Sequence, residues 1–391
     1  MILGSCAASF SICHANRTIL AILLPLLRQR FALSYTAVTA LAVSYDLGYF
    51  LTLIGGGALA ARIGISRSVL LGMLVIAGTS LLSAGAGTPG ELAAYRMLAG
   101  LGFSLYFTAG HAVIFQRFGA RERGRALGVH TGGSGLGRLY GALLGGLLAD
   151  RWGPSGLFLG FGALALADAT ISAWTLGGEP RVPTAGRALG ARPGWAHLLG
   201  RRPFLEALAL NGFCFTLILA MINFLPLFGV ERAGLPLSRA AFLLVVLNAV
   251  AVVANPLSGI LADRFGNRRV LLVTFASNAI LLGTLPHTLT PGTAVLVVGV
   301  VGLFLSTGIA PAINHLLTLG PEYATPQAIG AYNTGAGSIA FLLNLLLGRL
   351  ADAWGLDAVF TALGLLMTLA FLFTAFVLTP VQESGRPWSA A

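Results

Sequence analysis

Lysine is absent from this chain; all 24 basic residues are arginine. Charge of either sign is scarce, at 9% of 391 residues, against about 25% in a soluble domain. So few charges cannot cover a water-facing surface of normal size. That excludes an ordinary soluble protein and leaves lipid as the main solvent. Cysteine is almost missing too. Cys6, Cys13 and Cys214 all sit in apolar stretches, which excludes a disulfide framework or a cysteine metal centre. No phosphate-binding loop, metal-ligand cluster or nucleophile–base arrangement occurs, so nothing indicates an enzyme, a resident cofactor or a metal. The formal net charge is +11. Its arginines scatter among short loops instead of forming one stripe, which excludes a nucleic-acid partner.

What the chain has is apolar length. It is 56% hydrophobic, and runs of about 20 apolar residues, enough to cross a bilayer, recur throughout. Backbone groups in hydrocarbon must be satisfied internally, which allows only helices or a closed barrel. The runs are rich in Leu, Ala and Gly and lack strand-like alternation, so helices are expected. The pattern predicts twelve, at 4–27, 36–61, 68–87, 92–116, 127–149, 155–177, 204–228, 238–262, 270–288, 293–319, 328–351 and 357–379. The first lacks a basic start and is interrupted by Arg17, so it reads as an uncleaved membrane helix. Between Gly178 and Arg202 the apolar pattern gives way to Pro180, Pro183, Pro193 and five arginines. This predicts three regions: 1–178, a linker at 179–202, and 203–391. A short amphipathic helix around Trp195–Leu199 is expected on the membrane surface. Fifteen arginines fall on one set of loops and tails and six on the other. The positive-inside rule then puts both termini in the cytoplasm of a multi-pass protein of the cell (inner) membrane. A monomer is expected.

The same phrase occurs twice. Gly57-Ala58-Leu59-Ala60-Ala61-Arg62-Ile63-Gly64 recurs 202 positions later as Gly259-Ile260-Leu261-Ala262-Asp263-Arg264-Phe265-Gly266. The same offset carries Leu148-Ala149-Asp150-Arg151-Trp152-Gly153 onto Leu350-Ala351-Asp352-Ala353-Trp354-Gly355. Two segments at one ungapped offset indicate a duplicated half, and two parallel helical halves most simply enclose a pathway between them.

Gly259–Arg269 reads G-I-L-A-D-R-F-G-N-R-R. It resembles the loop signature of the major facilitator superfamily, G-x-L-x-D-R-x-G-R-R. The resemblance implies an all-α membrane fold of two pseudo-symmetric six-helix bundles (twelve transmembrane helices) and transport of a small-molecule substrate. It also implies a gating role for Gly259, Asp263, Arg264, Gly266, Arg268 and Arg269, and for Gly57, Arg62, Gly64 and Arg67 in the first copy. A topology anchor is the plainer reading of the same residues. The first copy departs from the family, since Ala61 stands where the acid belongs. A latch between halves is then weakened or carried by the second copy.

Arg96-Met97-Leu98-Ala99-Gly100 resembles the family's helix-4 motif R-x-x-x-G. Arg96, Gly100, Ser104, Thr108 and His111 share one face of that helix, which reads as a cavity wall. Arg96 either takes part in proton transfer, as the resemblance implies, or snorkels to the outer interface. Helix 5 carries Gly133, Gly137, Gly141 and Gly145, a stripe that allows intimate packing. The family's helix-5 glycine motif has Pro where Arg138 stands here, which argues against a standard drug exporter.

Arg138 lies near the bilayer midplane, where a charge costs at least ~2.5 kcal/mol and faces protein or water. It either binds an anion, for which its planar fork is suited, or pairs internally with Asp46 or Asp168. Asp46, mid-helix 2, is either a proton carrier or the permanent partner of Arg17 or Arg138. Arg17 and Arg138 together would form a doubly basic site; if Asp46 and Asp168 neutralise both, the anion reading fails. The second half offers amides and imidazole: Asn223, Asn248, His315 and Asn333, with Asn211 and Asn344 beside them. The expected function is secondary active transport by alternating access, coupled to protons, of a small organic anion. Efflux of amphiphilic drugs is the alternative, and a non-transporting membrane sensor the competing class.

Overall fold

A computed structural model of the chain describes residues 1–176, 198–320, 323 and 326–378. Most of the expected linker, the surface helix before Leu198 and the final residues, with Arg386, lie outside these. So do the side chains of 54–58, 61, 120, 121, 123, 150, 326 and 327 within their helices. Among the described residues every regular element is helical, and ten helices are long and apolar enough to cross a membrane.

The first half holds α1 (Ile2–Arg30), α2 (Tyr35–Ile63), α3 (Ile65–Ala84) and α4 (Pro89–Arg117). A continuous run, Ala120–Leu176, is broken by non-helical Gly153 into α5 (120–152) and α6 (154–176). The second half holds α7 (Arg202–Leu227), closed by a π turn at Phe228–Arg232, then α8 (Leu237–Phe265) and α9 (Asn267–Thr288). Next come α10, in two pieces (Ala294–Ser306 and Ile309–Thr318), and the run Pro326–Phe376. Gly355 breaks that run into α11 (326–354) and α12 (356–376).

Local chemistry sets several of these ends. Ser34 Oγ accepts from Ala37 N at 3.2 Å, capping α2. Thr88 Oγ1 caps α4 by accepting from Glu91 N at 3.2 Å, and Glu91 reaches back to accept from Gly87 N at 2.9 Å. Two expectations need correction. Helices 5 and 6, and 11 and 12, are not separated by loops; each pair turns on one glycine. Helix 10 is not continuous either. Pro311 has no N–H to offer Thr307 O, and the helix opens at Thr307 and Gly308.

The duplication is visible in the backbone. Gly64 and Gly266, 202 positions apart, have φ/ψ of 95/148° and 86/145°. Gly153 and Gly355, at the same offset, have 62/−175° and 82/175°. Such conformations belong almost solely to glycine. Each half also uses the same pairings. α1 packs on α5 as α7 does on α11, α2 on α4 as α8 on α10, and α3 on α6 as α9 on α12. Across the halves α2 meets α11, α5 meets α8, and α1 faces α7. Exchange of equivalent helices in this way is what a two-fold relation between halves produces. The outside is apolar, with Leu296 72% and Phe376 81% exposed, as a lipid-facing surface requires. The polar groups turn inward.

Candidate functional site

The glycine stripe of α5 brings the site together. A side chain at Gly133 or Gly137 would strike the carbonyl oxygen of Ala7 or Ser11, and one at Gly141 would lie 2.8 Å from the Ala15 Cα. The backbones of α1 and α5 therefore touch, and the residues beside the stripe face one another across the seam. Three rows result, each at helical spacing: Phe10, His14 and Arg17 on α1; Phe103, Phe107 and His111 on α4; His130, Ser134 and Arg138 on α5.

Arg17 Nη2 pairs with Asp46 Oδ1 at 2.7 Å; Asp46 is buried, whereas 27% of the Arg17 side chain is accessible. α1 is the most enclosed span, with 89% of its window buried. Arg138 is half-buried and makes no ion pair with a described residue. It lies close enough to Arg17 and His14 to act on both electrostatically. Asp168, the other carboxylate considered for it, instead accepts from Ser9 Oγ at 2.6 Å. Of the two internal pairs expected as alternatives, Arg17–Asp46 forms and Arg138–Asp168 does not.

Arg96 neither snorkels nor opens onto free space; it is 0% exposed. Its Nη2 donates to Asn16 O at 2.8 Å and Asn16 Oδ1 at 2.7 Å, and its guanidinium stands 5.2 Å from the Tyr45 ring centre. Asn16 passes the connection on to Ser80 Oγ. Arg96 thus ties α4 to α1 within the first half.

Above the arginines the rows become aromatic. The Phe10 and His130 rings stack at 4.4 Å, His111 and His130 meet edge to face at 4.8 Å, and Phe107 and His111 lie 4.5 Å apart. Tyr49 of α2 stacks on Phe103 at 4.7 Å. His111 Nδ1 faces its own helix carbonyl at Phe107, 2.8 Å away, so that nitrogen carries the proton. Tyr106 Oη donates to Cys6 O and faces His130 Nε2 at 3.0 Å. That fixes the His130 proton on Nε2 and leaves Nδ1 buried without a partner. His130 and the aromatic rows were missed in the sequence, although the four-residue spacing His130–Ser134–Arg138 was there to be read.

The second-half candidates are spread over several helices. Asn248 Nδ2 donates to Leu244 O at 2.7 Å, and Asn211 Nδ2 reaches Asn333 Oδ1 at 3.5 Å. Asn223 Nδ2 and His315 Nε2 are buried without partners. His315 lies near Glu206, which pairs with Arg202 at 2.8 Å. It stands toward the start of α7.

The two ends of the bundle differ. At one end Arg28 Nη1 pairs with Glu231 at 3.0 Å and Tyr35 Oη donates to the same carboxylate at 2.7 Å. Asp352, at the end of α11, accepts from Tyr35 N at 2.5 Å, Thr36 N at 2.9 Å and Thr36 Oγ1 at 2.5 Å. A carboxylate thus caps the positive N-terminus of α2 from across the molecule. None of these contacts was anticipated. At the other end lie the signature loops. Arg268 donates to Thr374 O at 3.1 Å and Ala375 O at 2.6 Å, within its own half. Arg264 stands over Phe265, and Asp263 makes no ion pair or hydrogen bond among the described residues. Arg62 and Arg67 are exposed there, Gly64 and Gly266 form the turns, and Gly259 has open space around it. Gly57 is helical, and its surroundings lie outside the described residues.

Fold and site together define a class: an all-helical, multi-span membrane protein with ionic groups held in its interior. The chain belongs to the Major Facilitator Superfamily, whose sequence profile matches residues 6–343 and, in a second match, 248–390. It is therefore a membrane transport protein and not an enzyme. Over 337 residues it is 29% identical to "Probable anion transporter 6" of Oryza sativa subsp. japonica, covering 78% of this chain and 77% of that one. An "MFS-type efflux pump" of Mycolicibacterium smegmatis is 27% identical over 345 residues, covering 84% and 80%. A solved structure of a bacterial homologue of the human lysosomal transporter Spinster, inward-facing and unoccupied, superposes with a TM-score of 0.83. It does so at 16% identity over 95% of each chain, a likeness of fold.

Proposed function

We propose that this chain is a proton-coupled secondary transporter of small organic anions, working by alternating access. The observation that carries the reading is Arg138: an interior cation beside Arg17, half-buried, with no carboxylate taking its charge. A buried charge left in this way is costly unless a ligand completes it. Arg offers a planar donor fork matched to a carboxylate. The name of the rice relative points the same way.

On this reading twelve helices span the cell (inner) membrane as a monomer, with both termini cytoplasmic. Residues 1–178 and 203–391 rock as two bundles joined by the linker at 179–202. The Glu231 and Asp352 end is then periplasmic and closed, and the signature loops lie at the cytoplasmic end. In this reading Asp46, paired with Arg17 at 2.7 Å, exchanges the coupled proton. Counterflow in liposomes tests the proposal. Wild type is expected to exchange a labelled monocarboxylate, and Arg138→Ala to lose exchange while still folding. Equal exchange by both proteins would remove Arg138 from the site. Selective stabilisation by cationic amphiphiles would favour drug efflux instead.

A further inference from the structure

The charge count and the rings around Arg138 narrow the ligand. This step rests on the anion reading of the same site. While Asp46 is ionised it neutralises Arg17 at 2.7 Å, and Arg96 is fully buried against Asn16, so in this state the site presents one accessible uncompensated positive charge and not two. One charge matches a monoanion; a dianion would leave one carboxylate without a counter-charge in a low-dielectric interior.

The same charge sits at the foot of an aromatic wall. His130, two turns along α5 from Arg138, stacks on Phe10 at 4.4 Å; Phe10 meets His14 at 4.7 Å, and the His14 ring lies 5.3 Å from Phe103. Tyr49, three residues from Asp46 on α2, stacks on Phe103 at 4.7 Å, and Phe107 meets Tyr49 edge to face at 5.7 Å. Tyr49, Phe107 and His111 are all only half-buried, so ring surface remains uncovered. We infer that the ligand is a monocarboxylate with a flat aromatic body. Its carboxylate sits on Arg138 and its ring against Phe107 and Tyr49.

An aliphatic acid of equal size would fill the same space but gain nothing from the ring quadrupoles. An aromatic pair adds roughly two- to tenfold in affinity beyond the area it buries. Thermal-shift titrations on the purified full chain separate the two. Benzoate and naphthoate are compared with cyclohexanecarboxylate, succinate and uncharged benzamide, on wild type, Phe107→Leu and Arg138→Ala. Tyr49→Leu replaces Phe107→Leu if that variant misfolds.

The expected result is that wild type prefers the aromatic acids to cyclohexanecarboxylate by roughly two- to tenfold and discriminates against succinate. Phe107→Leu should erase the aromatic preference while keeping a response to carboxylates, and Arg138→Ala should lose every carboxylate. Equal response to benzoate, naphthoate and cyclohexanecarboxylate, or a succinate response as strong as theirs, overturns the inference and leaves the anion reading standing. Benzamide matching benzoate, or no carboxylate acting at millimolar concentration, overturns both.

Discussion

Arg17 and Arg138 show how one residue's neighbour decides its chemistry. Both are arginines near the middle of inner helices, yet Asp46 takes the charge of the first and no described residue takes that of the second. Asp46→Asn should therefore do two things. It should lower stability by an amount between about 1 kcal/mol for an exposed pair and about 3–5 kcal/mol for a buried one. It should also create a second free cation, raising the response to succinate in a thermal-shift titration. Adding Arg17→Gln should recover part of the melting temperature and cancel the succinate gain. If the double variant is no more stable than Asp46→Asn, an unpaired Arg17 carries no burial penalty and the freed-cation account fails. The sequence could list these charges and their alternatives, but not choose among them. The choice depends on which faces of helices far apart in the chain meet, and helical periodicity gives the face without its partner. Asp168 illustrates this: Ser9 on α1, not an arginine, satisfies it.

Elements were more legible than contacts, because glycine and proline act locally. The 202-residue repeat placed a turn at Gly64 and Gly266 and another at Gly153 and Gly355, and all four have positive φ. The loops expected between helices 5 and 6, and 11 and 12, were overestimated, since a single glycine in such a conformation suffices to turn the chain. The break in α10 could have been read from Gly308 and Pro311. The stripe on α5 gives a direct prediction. Gly137→Ala would push a methyl into the Ser11 carbonyl, which belongs to backbone and cannot move aside. A cost of about 1–3 kcal/mol is expected from such overpacking, with loss of transport as α1 and α5 separate. Gly78, in α3, has open space around it. Gly78→Ala should be neutral or stabilising by up to about 1 kcal/mol. Melting temperatures of the two variants in one detergent check the contrast; equal shifts would mean that the α1–α5 seam is not tight.

At the scale of the whole molecule, the question is which end the contacts hold shut. The capping of α2 by Asp352 crosses between halves, as does the Arg28–Glu231 pair. The Arg268 contacts at the signature end stay inside one half. A state-dependent contact shifts an equilibrium only by the free energy it contributes in one state and not the other. Asp352 is exposed, and a carboxylate at a helix N-terminus contributes up to about 1 kcal/mol at such a site. Asp352→Ala should therefore move the balance toward opening of this end by up to about fivefold. Thr39, buried where α2 meets α11 next to Gly348, reports on that end. With Cys6, Cys13 and Cys214 replaced, Thr39→Cys should label slowly with an impermeant maleimide, and Asp352→Ala should raise the rate. Phe373→Leu, a change within the second half at the signature end, where the ring packs on Phe213, should leave the rate unchanged. If Asp352→Ala labels no faster than the parent, the cap does not bias opening, and closure rests on the apolar seams of α2 on α11 and α5 on α8.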